Sequence, residues 1–152
     1  MTLSSPPALK PQDIVCLLKL HSLAAATTNQ AVVEWTYASL AGELGMSASE
    51  VHAALNRSAA SHLYDRPHRH IRPHYLQEFL IHGIKYAFPA RPGPIAFGIP
   101  TAHSAPALSS LIASHDAYVW PASDGDYRGQ AIAPLYPSVP QAISQDPILY
   151  DL

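Results

Sequence analysis

The chain has 152 residues, 48% hydrophobic and only 13% charged, which is long and apolar enough to bury a core and excludes a wholly disordered chain. A formal net charge of −2 argues against a protein that coats a polyanion over its whole surface. No apolar run approaches the roughly 18 residues a spanning helix needs, so no membrane partner is expected, and the single cysteine, Cys16, excludes an internal disulfide framework.

Ten of the fifteen prolines fall at or after Pro89. Residues 9–88 therefore read as one helical domain with short connections, and residues 89–152 as an irregular Pro- and aromatic-rich extension ending in a helix. The first helix is expected from Pro11, whose missing N–H suits a first turn. Ile14, Leu17 and Leu18 form its apolar stripe, widened by Cys16 and Leu20. Residues 27–30 end it, and the β-branched and aromatic residues 31–36 read as a short strand or an extended lead. A second helix spans 37–44 and stops at Gly45. A third, 47–62, opens with a capping box between Ser47 and Glu50 and carries Val51, Ala54, Leu55 and Ala59 on one face.

Leu63-Tyr64 and His70-Ile71 then flank a turn as a candidate hairpin, limited by Pro67. A fourth helix is expected over 73–88, with Tyr75, Leu76, Phe79, Leu80, Ile84 and Phe88 inward. In the extension, residues 107–114 read as a helix, Tyr118-Val119-Trp120 as a strand, and 140–152 as a helix broken at Pro147.

The spacing within residues 37–56 is specific. Ala41 is small enough for two helices to cross closely, Gly45 follows four residues later to make the turn, and Val51 comes six residues after that to wedge the second helix on the first. Leu40, Leu44, Met46 and Leu55 complete the wedge. This segment resembles the helix-turn-helix of bacterial transcription regulators. With a helix before it and a basic hairpin and long helix behind it, residues 9–88 resemble a winged-helix domain of the broad MarR-like class; the very short, proline-bearing wing departs from that pattern. The resemblance implies a mainly α fold, a winged helix-turn-helix domain with a Pro-rich extension. It also implies a non-enzymatic, sequence-specific DNA-binding transcriptional regulator acting on double-stranded DNA as a homodimer. Helix 1, helix 4 and the C-terminal segment are the available dimer surfaces.

On this resemblance residues 47–62 form the recognition helix, with Ser49, His52, Ala53, Asn56 and Arg57 facing out. Asn can pair bidentately with adenine, Arg with guanine, and Ala can touch a thymine methyl. Ser47 and Ser49 stand at the helix N-terminus, where N–H groups favour phosphate. Arg66, Arg69 and Arg72 would hold backbone phosphates. The charge distribution agrees. Residues 1–91 carry eight Lys/Arg against six Asp/Glu, residues 92–152 one against five, and four of the six arginines lie between 57 and 72.

Other constellations are weaker. Among the nine histidines, His70 and His74 are four apart with His68 nearby. His70 precedes the helix start at Pro73, and no cysteine or paired acid completes a zinc set, so neither a metal nor any other cofactor is expected. Cys16, mid-helix beside Leu17 and Leu18, reads as a small buried hydrophobe. Asp124-Gly125-Asp126 lacks the later ligands of a calcium loop and reads as a turn. No arrangement of Ser, His and Asp identifies a catalytic set. Tyr118, Trp120, Tyr127, Leu135 and Tyr136 form either an arm that fills surface grooves or a partner surface. That supports an alternative from another class: a protein-protein interaction module on a winged-helix scaffold, antitoxin-like, binding a second protein through 89–152. The start of the chain lacks a basic, apolar leader, and with one cysteine the expected compartment is the cytoplasm.

Overall fold

α1 (Pro11–Ala25) runs through the middle of the protein, with Ile14, Cys16 and Leu17 fully buried. A computed structural model describes residues 2–27 and 34–152. The helix begins at Pro11 because the Asp13 carboxylate accepts the Lys10 backbone N–H at 2.9 Å and so satisfies a first-turn donor. It ends at Ala25. Residues 28–33, assigned above to the helix end and a possible strand, lie outside the described residues, and Glu34 to Thr36 carry no regular secondary structure.

α2 (Tyr37–Leu44) is capped by Thr36, whose hydroxyl accepts the Ser39 N–H at 3.0 Å. Gly45 closes it in the left-handed region, φ 64°, where a side chain would be strained. α3 (Ala48–Ala60) starts at once on the expected capping box, with Ser47 as the cap. Leu40, Leu44, Val51 and Ala54 are all wholly buried and wedge α2, α3 and α1 together. Burial of the two leucines and the valine contributes about 1.5–3 kcal/mol each relative to exposure. His62, φ 64°, turns the chain out of α3.

β1 (Tyr64–Asp65) and β2 (His70–Ile71) form the hairpin, pairing Tyr64 with Ile71 and Asp65 with His70. α4 (Pro73–Glu78) continues through a π-helical turn, Phe79–Gly83, into α5 (Ile84–Ala87). Gly83 sits under the Phe79 ring, where a Cβ would come within 2.8 Å. Tyr75, expected inside, is 49% exposed, whereas the adjacent Leu76 is buried.

The extension is not irregular, and the chain is mixed α and β rather than mainly α. β3 (Ile95–Thr101) pairs antiparallel with both β4 (Tyr118–Pro121) and β5 (Tyr127–Ala131). β4 and β5 also pair in parallel, which closes the three strands on themselves. The closure is so tight that glycine is required: a Cβ on Gly98 would collide with the Trp120 carbonyl, and one on Gly125 with the Gly98 backbone. Only β4 carries a sequence signal. The helix expected over 107–114 is reduced to α6 (Pro106–Ser109), and Leu111 beyond it is 78% exposed.

α7 (Val139–Ile143) and α8 (Pro147–Asp151) return to the helical region. Val139, Ala142, Ile143 and Leu149 join the same core as Ile14 and Leu55. The return is fastened by ions. Lys19, 4% exposed, reaches Glu43 and Asp146 at 2.6 Å each, and the Ser22 hydroxyl donates to Asp146 at 2.8 Å. Burial disfavours both charges, yet the hydrogen bonds hold Lys19 above and Asp146 below its ordinary range. α8 and the core cover much of α1, whose residues from Asp13 to Leu17 are all buried. No helix is long and apolar enough to cross a membrane among the described residues.

Candidate nucleic-acid interface

α3 presents Ser49 and His52 exposed, with Ala53 and Asn56 half-buried beside them. Positions 49, 52, 53 and 56 share one face by the i, i+3, i+4 rule. The Asn56 amide and the His52 Nδ1 are 3.3 Å apart, so the two side chains support each other across one helical turn.

Arg57 departs from the expected outward face. Its guanidinium turns inward onto Asp13 of α1, which has no solvent exposure. Nη2 donates to Oδ1 at 2.6 Å, and Nε donates to Oδ2 at 2.9 Å. A buried carboxylate without a partner is very costly, so the nearest cation is drawn to it. The hydrogen bonds to Asp13 raise the Arg57 pKa further. Arg57 therefore ties α3 to α1 and does not share the outward face.

The α3 N-terminus also differs from the expectation. The Glu50 carboxylate accepts the Ser47 N–H at 2.7 Å, the Ser47 hydroxyl accepts the Glu50 N–H at 3.2 Å, and the Ser47 and Ser49 hydroxyls lie 3.1 Å apart. These bonds hold the Glu50 carboxyl below its ordinary range, so an anion already occupies the place where a phosphate would dock. Ser47 is thus a cap, and Ser49 alone of the pair remains on the outward face.

The three hairpin-side arginines have different settings. Arg66 is exposed at the turn. Arg72 lies 3.8 Å from Asp65 and is 40% exposed. Arg69, φ 55°, swings back so that its guanidinium covers the Trp35 ring at 4.3 Å and donates to the Trp35 carbonyl at 3.0 Å. Trp35 meets Tyr37 edge to face at 5.7 Å, and Tyr37 meets His52 in the same way at 5.2 Å. The result is one line of contacts, Arg69–Trp35–Tyr37–His52–Asn56, from the hairpin to the outward face of α3. Trp35 and Tyr37 were missed as site residues, because a β-branched and aromatic run reads as strand or core. The available signal was two aromatics flanking a helix cap, beside a basic segment.

The structure also assembles a group that sequence spacing did not. Asp65, His68 and His70 each offer a donor atom, all within 4.8 Å of one another. The acid absent from the histidine pattern is supplied across the hairpin, where Asp65 faces His70. An apolar chamber of about 700 Å³ lies elsewhere, between α1, α5 and the returning chain, lined by Leu18, Leu80, Ile84, Trp120 and Ile143. No protein-family model, curated protein or solved structure matches this chain.

Proposed function

We propose that the protein is a sequence-specific DNA-binding transcriptional regulator with a winged helix-turn-helix domain, placing α3 in the major groove and residues 66–72 on the flanking phosphates. The observation that carries this reading is the α2–Gly45–α3 wedge, with its free polar strip joined to the basic hairpin by the Arg69–Trp35–Tyr37–His52 line. Base reading falls to Ser49, His52, Ala53 and Asn56, with Asn56 suited to adenine and Ala53 to a thymine methyl. Arg66 and Arg72 supply phosphate contacts, which fix register and contribute sequence-neutral affinity. Arg69 braces the hairpin against Trp35. Two half-sites require two copies of α3, and the exposed Tyr75, Ile81 and Tyr86 of the α4–α5 helix are available for a two-fold pairing.

The test is a titration against duplex DNA from upstream of its own gene and against a random duplex, at two salt concentrations. Tighter, salt-sensitive binding to the first is expected. Arg66→Ala/Arg72→Ala should weaken binding to both duplexes and reduce the salt slope by about 2. His52→Ala/Asn56→Ala should cost about 1–3 kcal/mol of discrimination while leaving the slope unchanged. Equal weak binding to both duplexes, or none, overturns the reading.

One observation favours a second reading, a protein-interaction module. The line from Arg69 to Trp35 and Tyr37 uses the residue types that dominate protein hot spots, and the outward face of α3 carries no cation once Arg57 is turned inward. Failure of the duplex titration would favour this module, with Trp35→Ala then the change expected to abolish partner binding.

A further inference from the structure

We propose that the β1–β2 hairpin binds one divalent transition-metal ion of the zinc class through the Asp65 carboxylate and the imidazoles of His68 and His70. Three features support the site. First, Asp65 Oδ1 and His68 Nδ1 already lie 3.0 Å apart. That is about the ligand-to-ligand spacing around an ion with bonds of about 2.0–2.2 Å, so two ligands stand at coordination distance before any metal arrives. Second, His70 Nδ1 lies 2.9 Å from the Ile71 carbonyl. A carbonyl only accepts, so Nδ1 carries the proton and Nε2 is left with the lone pair. A backbone carbonyl holding the far nitrogen of a ligating histidine is the orientation that metal sites use. Third, the rings of His68 and His70 stack at 5.9 Å with an 18° interplanar angle, so both point to the same side of the hairpin.

The hairpin makes this geometry because its strands are so short. Asp65 and His70 are cross-strand partners, and Arg69, between the two histidines, has a positive φ that turns the chain into β2. Asp65 also accepts the His68 backbone N–H at 3.1 Å, which fixes its carboxylate over the turn. Arg72 approaches the other oxygen, Oδ2, at 3.8 Å and leaves Oδ1 to face the histidines. The metal takes the place of the proton on His68 Nδ1, which passes to Nε2 of the same neutral ring or, from an imidazolium, to solvent, and small side-chain adjustments close the 4.8 Å span of the three donor atoms. Two nitrogens and one oxygen are a borderline donor set, suited to zinc, cobalt(II), nickel(II) or copper(II) rather than to calcium or magnesium. Water completes the coordination.

The site can be tested on tag-free, chelator-treated full-length protein with no DNA present, so the outcome is independent of the function proposed above. Titration with zinc, followed by equilibrium dialysis, should give one tight equivalent per chain. Titration with cobalt(II) should give d–d absorption and broaden the NMR signals of His68 and His70 first. His68→Ala and His70→Ala should each weaken binding more than tenfold, and Asp65→Asn should do the same. His74→Ala, a histidine just outside the set, should leave it unchanged. Thermal melting of each variant without metal confirms that the fold is kept. The site is overturned if no stoichiometric equivalent binds, or if His74→Ala weakens binding as much as His68→Ala.

Discussion

Around α1 the innermost atoms belong to side chains. Ile14, Leu17, Leu40, Leu44 and Val51 have no solvent exposure and touch one another across three helices. Between β3 and β5 the innermost atoms are mostly backbone. Gly98, Gly125 and Gly129 let the strands close, and of their larger side chains only Val119 is fully buried there. The first region draws its stability from apolar area removed from water, the second from hydrogen bonds between chains that approach too closely for a Cβ. The two meet at the apolar chamber, and α7 and α8 return from the second region to complete the core of the first. An identical substitution, such as adding a methyl group, should therefore have different consequences in the two regions.

The largest expected effect is in the helical region. Arg57→Ala leaves Asp13 buried without its ion partner and should lower the unfolding free energy by about 3–5 kcal/mol, measured by denaturant melts. Asp13→Leu/Arg57→Met, which removes both charges and restores apolar volume, should recover most of the loss. If Arg57→Ala is neutral, the helical region does not depend on this pair, and Arg57 returns as a candidate base reader.

The next effect belongs to the closed sheet. Gly98→Ala forces a methyl group into the Trp120 carbonyl and should cost about 1–3 kcal/mol. The change should be local, with Trp120 emission shifted while the far-UV helix signal holds. Loss of the helix signal would show that the two regions fold as one cooperative unit.

The smallest effect concerns the fastening between them. Burial pushes the Asp146 carboxyl up, but hydrogen bonds from Lys19, the Leu149 N–H and Ser22 win and hold it below the ordinary 3.8. A depressed carboxyl contributes stability that is fully present above 3.8 and is lost as pH falls through the lower folded value. Lys19 has the opposite sign, since its pKa is raised above 10.5 and its contribution fades only as pH climbs beyond that value. The clamp of α8 on α1 should thus hold across neutral pH and loosen in acid below 3.8. In a Trp35→Phe background the emission of Trp120, whose ring is 6.3 Å from that of Tyr150 on α8, should report the loosening. Asp146→Asn should flatten that acid transition, and an unchanged transition would assign it to another carboxylate.

Legibility in the sequence followed the same division. α1, α2, α3 and the hairpin were readable because each announces itself locally through a proline or a hydroxyl cap, a glycine stop, and apolar residues at helical spacing. The π turn was not, nor was the outward side of Tyr75 in the α4 segment before it. β3 and β5 were not readable either, since runs such as Ile95–Thr101 with an internal glycine and proline lack the alternation that marks a strand. Within the candidate site, His52, Ala53 and Asn56 stand where helical periodicity put them. Arg57 does not, because periodicity gives the direction of a Cβ but not the reach of a guanidinium four bonds further out.

The amino-acid order by itself determined the short-range features: where α1, α2 and α3 begin and end, that Gly45 makes the turn, and that basic residues cluster between 57 and 72. Those depend on dihedral preferences and spacing within a few residues. Tertiary structure alone decided which charges remain free. It buried Asp13 opposite Arg57, joined Lys19 to Asp146 across 127 positions, laid Arg69 on Trp35, and brought Asp65 to His68 and His70. Each of these depends on the distance between elements after they pack, and the desolvation of a charge is set by that packing rather than by its neighbours in the chain.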